Sequence, residues 1–398
     1  MYNSTTNTQR FLILELETIL NEDIQVIKER EKSTFDRLSS PFNDSIVLFG
    51  AGGLAKQTIK GLKNLGIIPL ALSDNNPNLW NTFINGIEVL SPNDAVDKYK
   101  DKAVFVVTVW NPKTRFTQIK QQLLDLKCPK VISIFSLFWK YPETFLPHYS
   151  WDLPHKIVEQ KEDIIKAFSL WSDEKSRLQY LAQIKLKMFL DFEGLSEPTQ
   201  ESYFLDDVFT FLSDEVFIDC GAYDGDTLKS FIKFRQNNFK KYLALEPDPN
   251  NLEHLKKAIF TNSNDMQNKI DIYPVAAGIK HEKLRFDAVG NSSASIGENG
   301  NIEIESIPLD ELLINCPPTF IKMDIEGFEA DALIGASNII KQTMPILAIC
   351  VYHKQHDLWS IPLLIQSLCS NYRFFLRTHE EDGLQAVCYA VPAHRCMV

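Results

Sequence analysis

Short apolar runs alternate along most of this chain with stretches whose apolar residues recur at helical spacing. Such runs occupy 45–49, 67–72, 101–109 and 130–134, and a second series occupies 216–218, 242–245, 270–275, 320–323 and 346–351. A brief continuous apolar run closed by turn residues reads as a strand buried on both faces. Strands that alternate with helical stretches predict a parallel α/β sheet, so the two series predict an α/β chain with two Rossmann-like units. The second series ends differently. Residues 373–377 and 385–391 read as an antiparallel pair around Glu380-Glu-Asp-Gly383, a pair that completes a seven-stranded sheet.

Two stretches lack the strand pattern. Within 1–40, Phe11, Leu12, Leu14, Leu16, Ile19 and Leu20 make an apolar side that Ile24, Val26 and Ile27 continue. That face must pack on the first unit or on a partner chain, which leaves a homo-oligomer open. Residues 151–213 are also helical in character and join the two units. The expected organisation is a helical segment at 1–44, a Rossmann-like unit at 45–150, a helical connection at 151–213 and a second α/β domain at 214–398.

Charge and composition narrow the function classes. The 398 residues carry a net charge of −11, so no overall basic field draws nucleic acid to the chain. No apolar run reaches the roughly 18 residues that a membrane-spanning helix needs. No cationic stretch followed by an apolar one opens the chain. The seven cysteines show neither C-x-x-C nor zinc spacing, which suits free thiols in a reducing compartment. The expectation is a cytoplasmic protein with no membrane span and no nucleic-acid partner.

Candidate chemistry lies where the apolar runs end. In Glu215-Val-Phe-Ile-Asp-Cys-Gly-Ala-Tyr-Asp-Gly-Asp-Thr227 a buried strand runs into Asp219, and Gly221 and Gly225 follow in a turn that opens a helix. Glycine there allows positive φ and close approach of a ligand, and the helix start offers free N–H groups. Glu246 ends the next run, 27 residues after Asp219, where a Rossmann-like fold places the acid that holds a ribose. The pattern is Asp-x-Gly-x-x-x-Gly, not G-x-G-x-x-G. An acid inside the turn repels a pyrophosphate but suits a ligand carrying an amino group and a sulfonium, so S-adenosylmethionine is favoured over NAD. In this reading Asp219 and the turn residues Gly221, Ala222, Tyr223 and Gly225 hold the methionine part, and Glu246 the ribose. Ala276 and Ala277 end the 270–275 run and leave room for adenine, though small residues also simply close a turn.

A third block, Thr319-Phe-Ile-Lys-Met-Asp-Ile-Glu-Gly-Phe-Glu329, crowds Asp324, Glu326 and Glu329 at a strand end beside Lys322. Glu329 is readily explained as an acid at a helix start; Asp324 is not. Asp324 is the first candidate for a general base and His353, after the 346–351 run, the second; His353 reads equally as an edge histidine bonded to backbone. Glu326 can orient Lys322 or contribute to a magnesium site, and no metal is assigned. The 280–306 segment, with Gly290, Gly297, Gly300 and Ser292-Ser-Ala-Ser295, reads as an insertion hairpin covering the acceptor. Arg377 and His379 either reach the acceptor or are solvated hairpin residues.

These blocks, together with Leu-Glu-Pro-Asp-Pro at 245–249, Pro-Leu-Asp-Glu-Leu-Leu at 308–313 and Tyr-His-Lys at 352–354, resemble the FkbM family of S-adenosylmethionine-dependent methyltransferases over 214–392. The resemblance implies a class I methyltransferase domain. It also implies O-methylation, usually of a sugar, glycan or secondary metabolite. From their places at the strand ends, Asp324, His353 and Lys322 are the candidate catalytic group.

The upstream unit carries its own fingerprint. Gly50-Ala-Gly-Gly-Leu-Ala55 follows the 45–49 run and matches G-x-G-x-x-A, and Asp74 stands 24 residues beyond Gly50. Gly50, Gly52, Gly53 and Asp74 are therefore a candidate second nucleotide site. The surrounding sequence resembles small Rossmann-like domains of nucleotide-sugar and glycan-modifying enzymes, in which the turn need not hold NAD. Two other classes stay open: an NAD-dependent oxidoreductase or sugar-modifying enzyme centred on this unit, and a scaffold that keeps both folds without turnover.

Overall fold

The computed structural model describes residues 2–200, 202–236, 238–260, 264–287, 295–296 and 300–397. The chain divides into two compact units. One comprises residues 1–165, 177–198 and 380–385, the other 166–176, 199–379 and 386–398. Both are α/β.

The first unit is built on strands β1 (Ile46–Phe49), β2 (Ala71–Ser73), β3 (Phe83–Ile84), β4 (Ile87–Leu90), β5 (Val104–Val107) and β6 (Val131–Ser133). They lie in the order β3-β4-β2-β1-β5-β6. Only the short edge strand β3 is antiparallel. Every residue of β1 and β5 is buried, as expected for central strands covered on both faces. At the amino end, the helical 1–40 stretch forms two helices, Tyr2–Leu20 and Ile24–Ser39. Asp23 separates them by capping the second, accepting from the Gln25 and Val26 amides. Leu12, Leu16, Ile19, Leu20 and Ile27 are buried at helical spacing, while Phe11, Leu14 and Val26 fall off that face and are exposed.

The second unit holds β7 (Val216–Cys220), β8 (Lys241–Leu245), β9 (Ile270–Tyr273), β10 (Val275–Ala277), β11 (Glu282–Asp287), β12 (Ser295–Ile296), β13 (Ile302–Ile307), β14 (Phe320–Met323), β15 (Ile346–Cys350), β16 (Tyr372–Thr378) and β17 (Ala386–Pro392). Seven of them form the sheet β16-β17-β15-β14-β7-β8-β9. β17 runs antiparallel to both of its neighbours, so the terminal pair completes the sheet as the alternation predicts. The 270–275 run does not remain one strand. Pro274, which has no N–H to donate, separates β9 from β10, and β10 joins a second sheet ordered β10-β13-β11-β12. Ala276 packs there against Phe286 and Ile304. The insertion pairs as an antiparallel β11–β13 hairpin. Gly290, Gly297 and Ser292–Ala294 lie outside the described residues.

An aromatic ladder crosses the middle of the large sheet. Phe217 stands opposite Phe320 on one neighbouring strand and Tyr242 on the other. Its ring lies 4.7 Å from that of Phe320 and 5.2 Å from that of Tyr242, near parallel in both cases. At the amino ends of β7 and β14, Arg395 meets the buried Glu215 through two hydrogen bonds of 2.8 and 3.0 Å and donates to the Thr319 carbonyl. We expect Phe217→Ala to destabilise this unit by about 3–5 kcal/mol, as truncation of a fully buried ring does. Urea unfolding followed by tyrosine and tryptophan fluorescence checks this, and a loss under about 1 kcal/mol would show that the ladder is not under tight packing.

Candidate active site

The site grows from the carboxyl ends of β7, β8, β14 and β15. At the end of β7 the backbone reverses through Gly221, Tyr223 and Gly225, all at positive φ. The Gly221 and Ala222 amides donate to the Leu245 carbonyl. Gly221 is required: a Cβ there would lie 2.0 Å from the Asp324 carbonyl oxygen. The turn after β7 and the turn after β14 are thus in backbone contact. Gly225 starts the helix Asp226–Arg235, which no side chain caps.

Asp219 and Lys322 occupy facing positions on β7 and β14. Lys322 Nζ lies 2.9 Å from Asp219 Oδ1, with side-chain exposures of 2% and 0%. It also donates to the Gly221 carbonyl at 2.7 Å, and Tyr242 donates to Asp219 Oδ2 at 2.5 Å. Burial raises the Asp219 pKa, and Lys322 and Tyr242 oppose that rise. Burial also works against the Lys322 ammonium, but the Asp219 carboxylate outweighs it and raises the lysine. Both groups are enclosed. They hold the glycine turn rather than face an open cleft.

Glu246 braces the same turn from the other side. Its Oε2 accepts the Tyr223 amide at 2.8 Å and its Oε1 the Asp248 amide at 2.9 Å. Burial pushes its pKa up to about 7. Two enclosed oxygens in this region, Asp224 Oδ1 in the turn and Asn251 Oδ1 beside Glu246, have no hydrogen-bond partner among the described residues. Both are acceptors. Ala222 is buried beneath the turn, and Ala276 and Ala277 are buried on β10.

Opposite the turn stands a cluster around His353. Its Nδ1 lies 2.9 Å from Glu329 Oε1 and its Nε2 3.3 Å from Asp324 Oδ1, with Glu326 Oε1 further off at 3.8 Å. Burial disfavours the imidazolium, yet Glu329 and Asp324 raise its pKa well above the ordinary value. Asp324 also accepts from the Tyr352 hydroxyl at 3.1 Å and the Tyr203 hydroxyl at 3.2 Å. Burial opposes its ionisation, but His353 and then Lys322 hold it well below the usual carboxylate range. Glu326 sits at φ +55°, a strained setting for a residue with a side chain. Burial, Asp324 and Glu329 together push its pKa up to about 7 against the pull of His353. Gly327 takes φ +93° and a Cβ there would lie 2.9 Å from Lys354 Cε; Lys354 donates to its carbonyl.

The sequence pattern did not single out Tyr203, Tyr352 or the tuning of Glu326. Tyr352 adjoins His353 in the quoted block. Tyr203 lies 121 positions before Asp324, in the 151–213 connection read as helical, where the chain around it forms turns rather than a helix. Arg377 and His379 do neither of the things expected of them. Arg377 is buried against Asp173 at 2.5 Å, and His379 is bonded to the Thr199 carbonyl and the Tyr389 hydroxyl.

Residues 219–380 match the model of the methyltransferase FkbM domain. This part of the chain is an FkbM methyltransferase domain. A solved structure of methyltransferase FkbM from Methylobacillus flagellatus KT superposes with a TM-score of 0.75, covering 96% of this chain and 99% of that one at 21% identity. Both units of the present chain therefore share its fold. An rRNA methylase from Streptococcus thermophilus covers 46% of this chain and 88% of its own at 9% identity, with a TM-score of 0.31. A precorrin-6y C5,15-methyltransferase from Geobacter metallireducens GS-15 covers 50% of this chain and 95% of its own at 10% identity, also with a TM-score of 0.31. No curated protein matches the chain. Among the described residues, no helix is long and apolar enough to cross a membrane.

In the FkbM domain, Lys322→Met leaves the enclosed Asp219 carboxylate unpaired, and we expect a loss of about 3–5 kcal/mol. Asp219→Asn/Lys322→Met removes both charges and should recover much of that loss. Urea unfolding of the three proteins decides: equal stability of the single and double variants would show that the pair is not charged.

Proposed function

We propose that the protein transfers a methyl group from S-adenosylmethionine to a hydroxyl of a sugar, glycan or related small metabolite. The observation that carries this reading is the pair of enclosed, unpartnered acceptor oxygens at Asp224 and Asn251. They flank a turn that Glu246 braces and that touches the turn of Asp324. Acceptors without donors fit a ligand rich in donors and positive charge. A pyrophosphate would meet repulsion from Asp224 and Asp226 in the same turn. When bound, the donor supplies a methyl group on a sulfonium, electrophilic towards an oxygen in line with the C–S bond.

The chain's own residues then divide the work. Asp224 takes the amino group, Glu246 and Asn251 the ribose hydroxyls, and the Asp219–Lys322 pair keeps Gly221 in place. Asp324, one-fifth exposed, orients the acceptor hydroxyl. It is a weak base, since three donors already hold its charge. His353, 2% exposed, stays an imidazolium between two carboxylates and positions Asp324. Glu326 takes the proton: it is partly exposed and its pKa lies near 7, where a general base is most effective. The oxygen–methyl bond forms as the carbon–sulfur bond breaks, and the hydroxyl proton passes to Glu326. Cys128, Cys220, Cys350 and Cys388 are buried free thiols, which suits a reducing, cytoplasmic setting.

Calorimetric titration with S-adenosylhomocysteine is the first test. Binding that weakens at least about tenfold in Asp224→Asn, the scale of a lost charge-assisted hydrogen bond, supports the donor site; no binding to the wild type sinks it. For the base, kcat/KM for transfer of labelled methyl into a panel of free and nucleotide-linked sugars should rise with pH through about 7, because only the ionised Glu326 accepts a proton. In Glu326→Gln that rise should vanish with donor affinity intact. A pH profile unchanged in this variant would move the base elsewhere.

A further inference from the structure

The first unit repeats the construction of the methyl-donor site. At the end of β2, Asp74 accepts the Ala51 amide through Oδ2 at 2.7 Å and the Asn76 amide through Oδ1 at 2.8 Å. Glu246 does the same with the Tyr223 and Asp248 amides. In both units an acid after the second strand braces the glycine turn after the first, and binds the amide two residues beyond itself. The turns themselves differ in charge. Residues 221–226 carry two aspartates, whereas residues 50–55 carry none.

The crevice above this turn lies where strand order reverses, between β1 and β5. Open α/β sheets bind ligands at that position. Thr108, just past β5, donates to the Phe49 and Gly50 carbonyls and ties the two strand ends together. A cavity of about 360 Å³ opens there, walled by Gly50, Gly52, Gly53, Asp74, Thr108 and Trp110. Gly52 and Gly53 face open space: a Cβ at either would meet nothing within 4 Å. Gly52 starts the helix Gly53–Asn64, and no side chain caps it. Two enclosed polar groups have no partner among the described residues. They are the fully buried Ser73 hydroxyl, whose own carbonyl accepts the Gly50 amide, and the Trp110 indole N–H in the cavity wall. A neighbouring cavity of about 860 Å³ shares Asn75 and is lined by Trp80, Ser91, Asn93, Gln118 and Gln122. Its walls combine amides, the Ser91 hydroxyl and the Trp80 ring with Pro92, Leu126 and the Asp125 carboxylate, chemistry that hydrogen-bonds and stacks a base or a sugar.

We infer that the first unit binds a nucleoside diphosphate moiety. The diphosphate lies on the bare glycine face and the uncapped helix start, where free N–H groups and the helix dipole favour an anion. Asp74 takes the ribose hydroxyls with the lone pairs its two amides leave free. The base or an attached sugar extends past Asn75 towards Trp80 and the glutamines. The inference is independent of the methyl-donor reading, because every residue it uses lies in the first unit.

ADP, NAD and UDP-glucose titrated by calorimetry into the full-length protein test it. At least one should bind, and Gly52→Asp should weaken that ligand at least about tenfold by placing a carboxylate against the phosphate. An aspartate fits here. Gly52 has an ordinary φ of −81° as the N-cap, and aspartate is favoured at that position, so the variant should melt no lower than wild type. Gly53→Asp is the second variant, with the same open space around it. Equal binding of all three ligands assigns the diphosphate alone; preference for NAD assigns a dinucleotide, and preference for UDP-glucose a nucleotide-linked sugar. Absence of binding by all three at millimolar concentration, or wild-type affinity in both folded variants, overturns the proposal.

Discussion

A single ion pair deep in the second unit sets the geometry on which its site depends. Asp219 and Lys322 are opposite each other on neighbouring parallel strands and almost wholly enclosed. Two charges held there cost desolvation that only close pairing and added hydrogen bonds offset. The added bonds come from Tyr242 to Asp219 and from Lys322 to the Gly221 carbonyl. The second fastens the glycine turn to β14. The first runs back into the core, because Tyr242 belongs to the aromatic ladder with Phe217 and Phe320. Core packing, ion pair and turn are therefore one connected structure, and a ligand-facing loop gains the rigidity of the sheet beneath it.

That rigidity is repeated with a change of sign. Both units use an acid at the end of the second strand to grip the amide of a glycine turn and of its own loop. The second unit then adds Asp224 and Asp226 to its turn, and the first leaves Gly52 and Gly53 bare. Backbone amides favour an anion, and added carboxylates reverse the preference. The two turns thus differ in charge, one acidic and one bare, through a few side chains.

Around His353 the acids separate by environment. Asp324 and Glu329 lie against the imidazole, which holds Asp324 well below the usual carboxylate range. Glu326 lies further off, in a strained backbone position, and feels the two carboxylates as well as the histidine. Its proton affinity rises to near neutrality. Carboxylates of one type are thus driven to different proton affinities, and the difference follows from distance and burial rather than from residue type.

Much of this was legible in the chain. Continuous apolar runs closed by glycine and acid marked most strands of the two large sheets, because parallel strands covered on two faces leave no polar periodicity to confuse them; the short β3 and β4 escaped that pattern. The terminal antiparallel pair was legible for the same reason, and so were Asp219, Glu246 and Asp324 as strand-end acids and Gly50 and Asp74 as a second fingerprint. Sequence alone therefore determined the fold class, the two strand-turn-helix segments and the acidic character of one turn, since these depend on residues close along the chain. The break at Pro274, the hydroxyls of Tyr203 and Tyr352 on Asp324, the enclosure of Asp219 by Lys322, and the choice of Glu326 as the carboxylate tuned to neutrality were decided only by the tertiary structure. Each depends on which side chains meet across strands far apart in sequence, and on how much water that meeting removes, and neither quantity is written in local spacing.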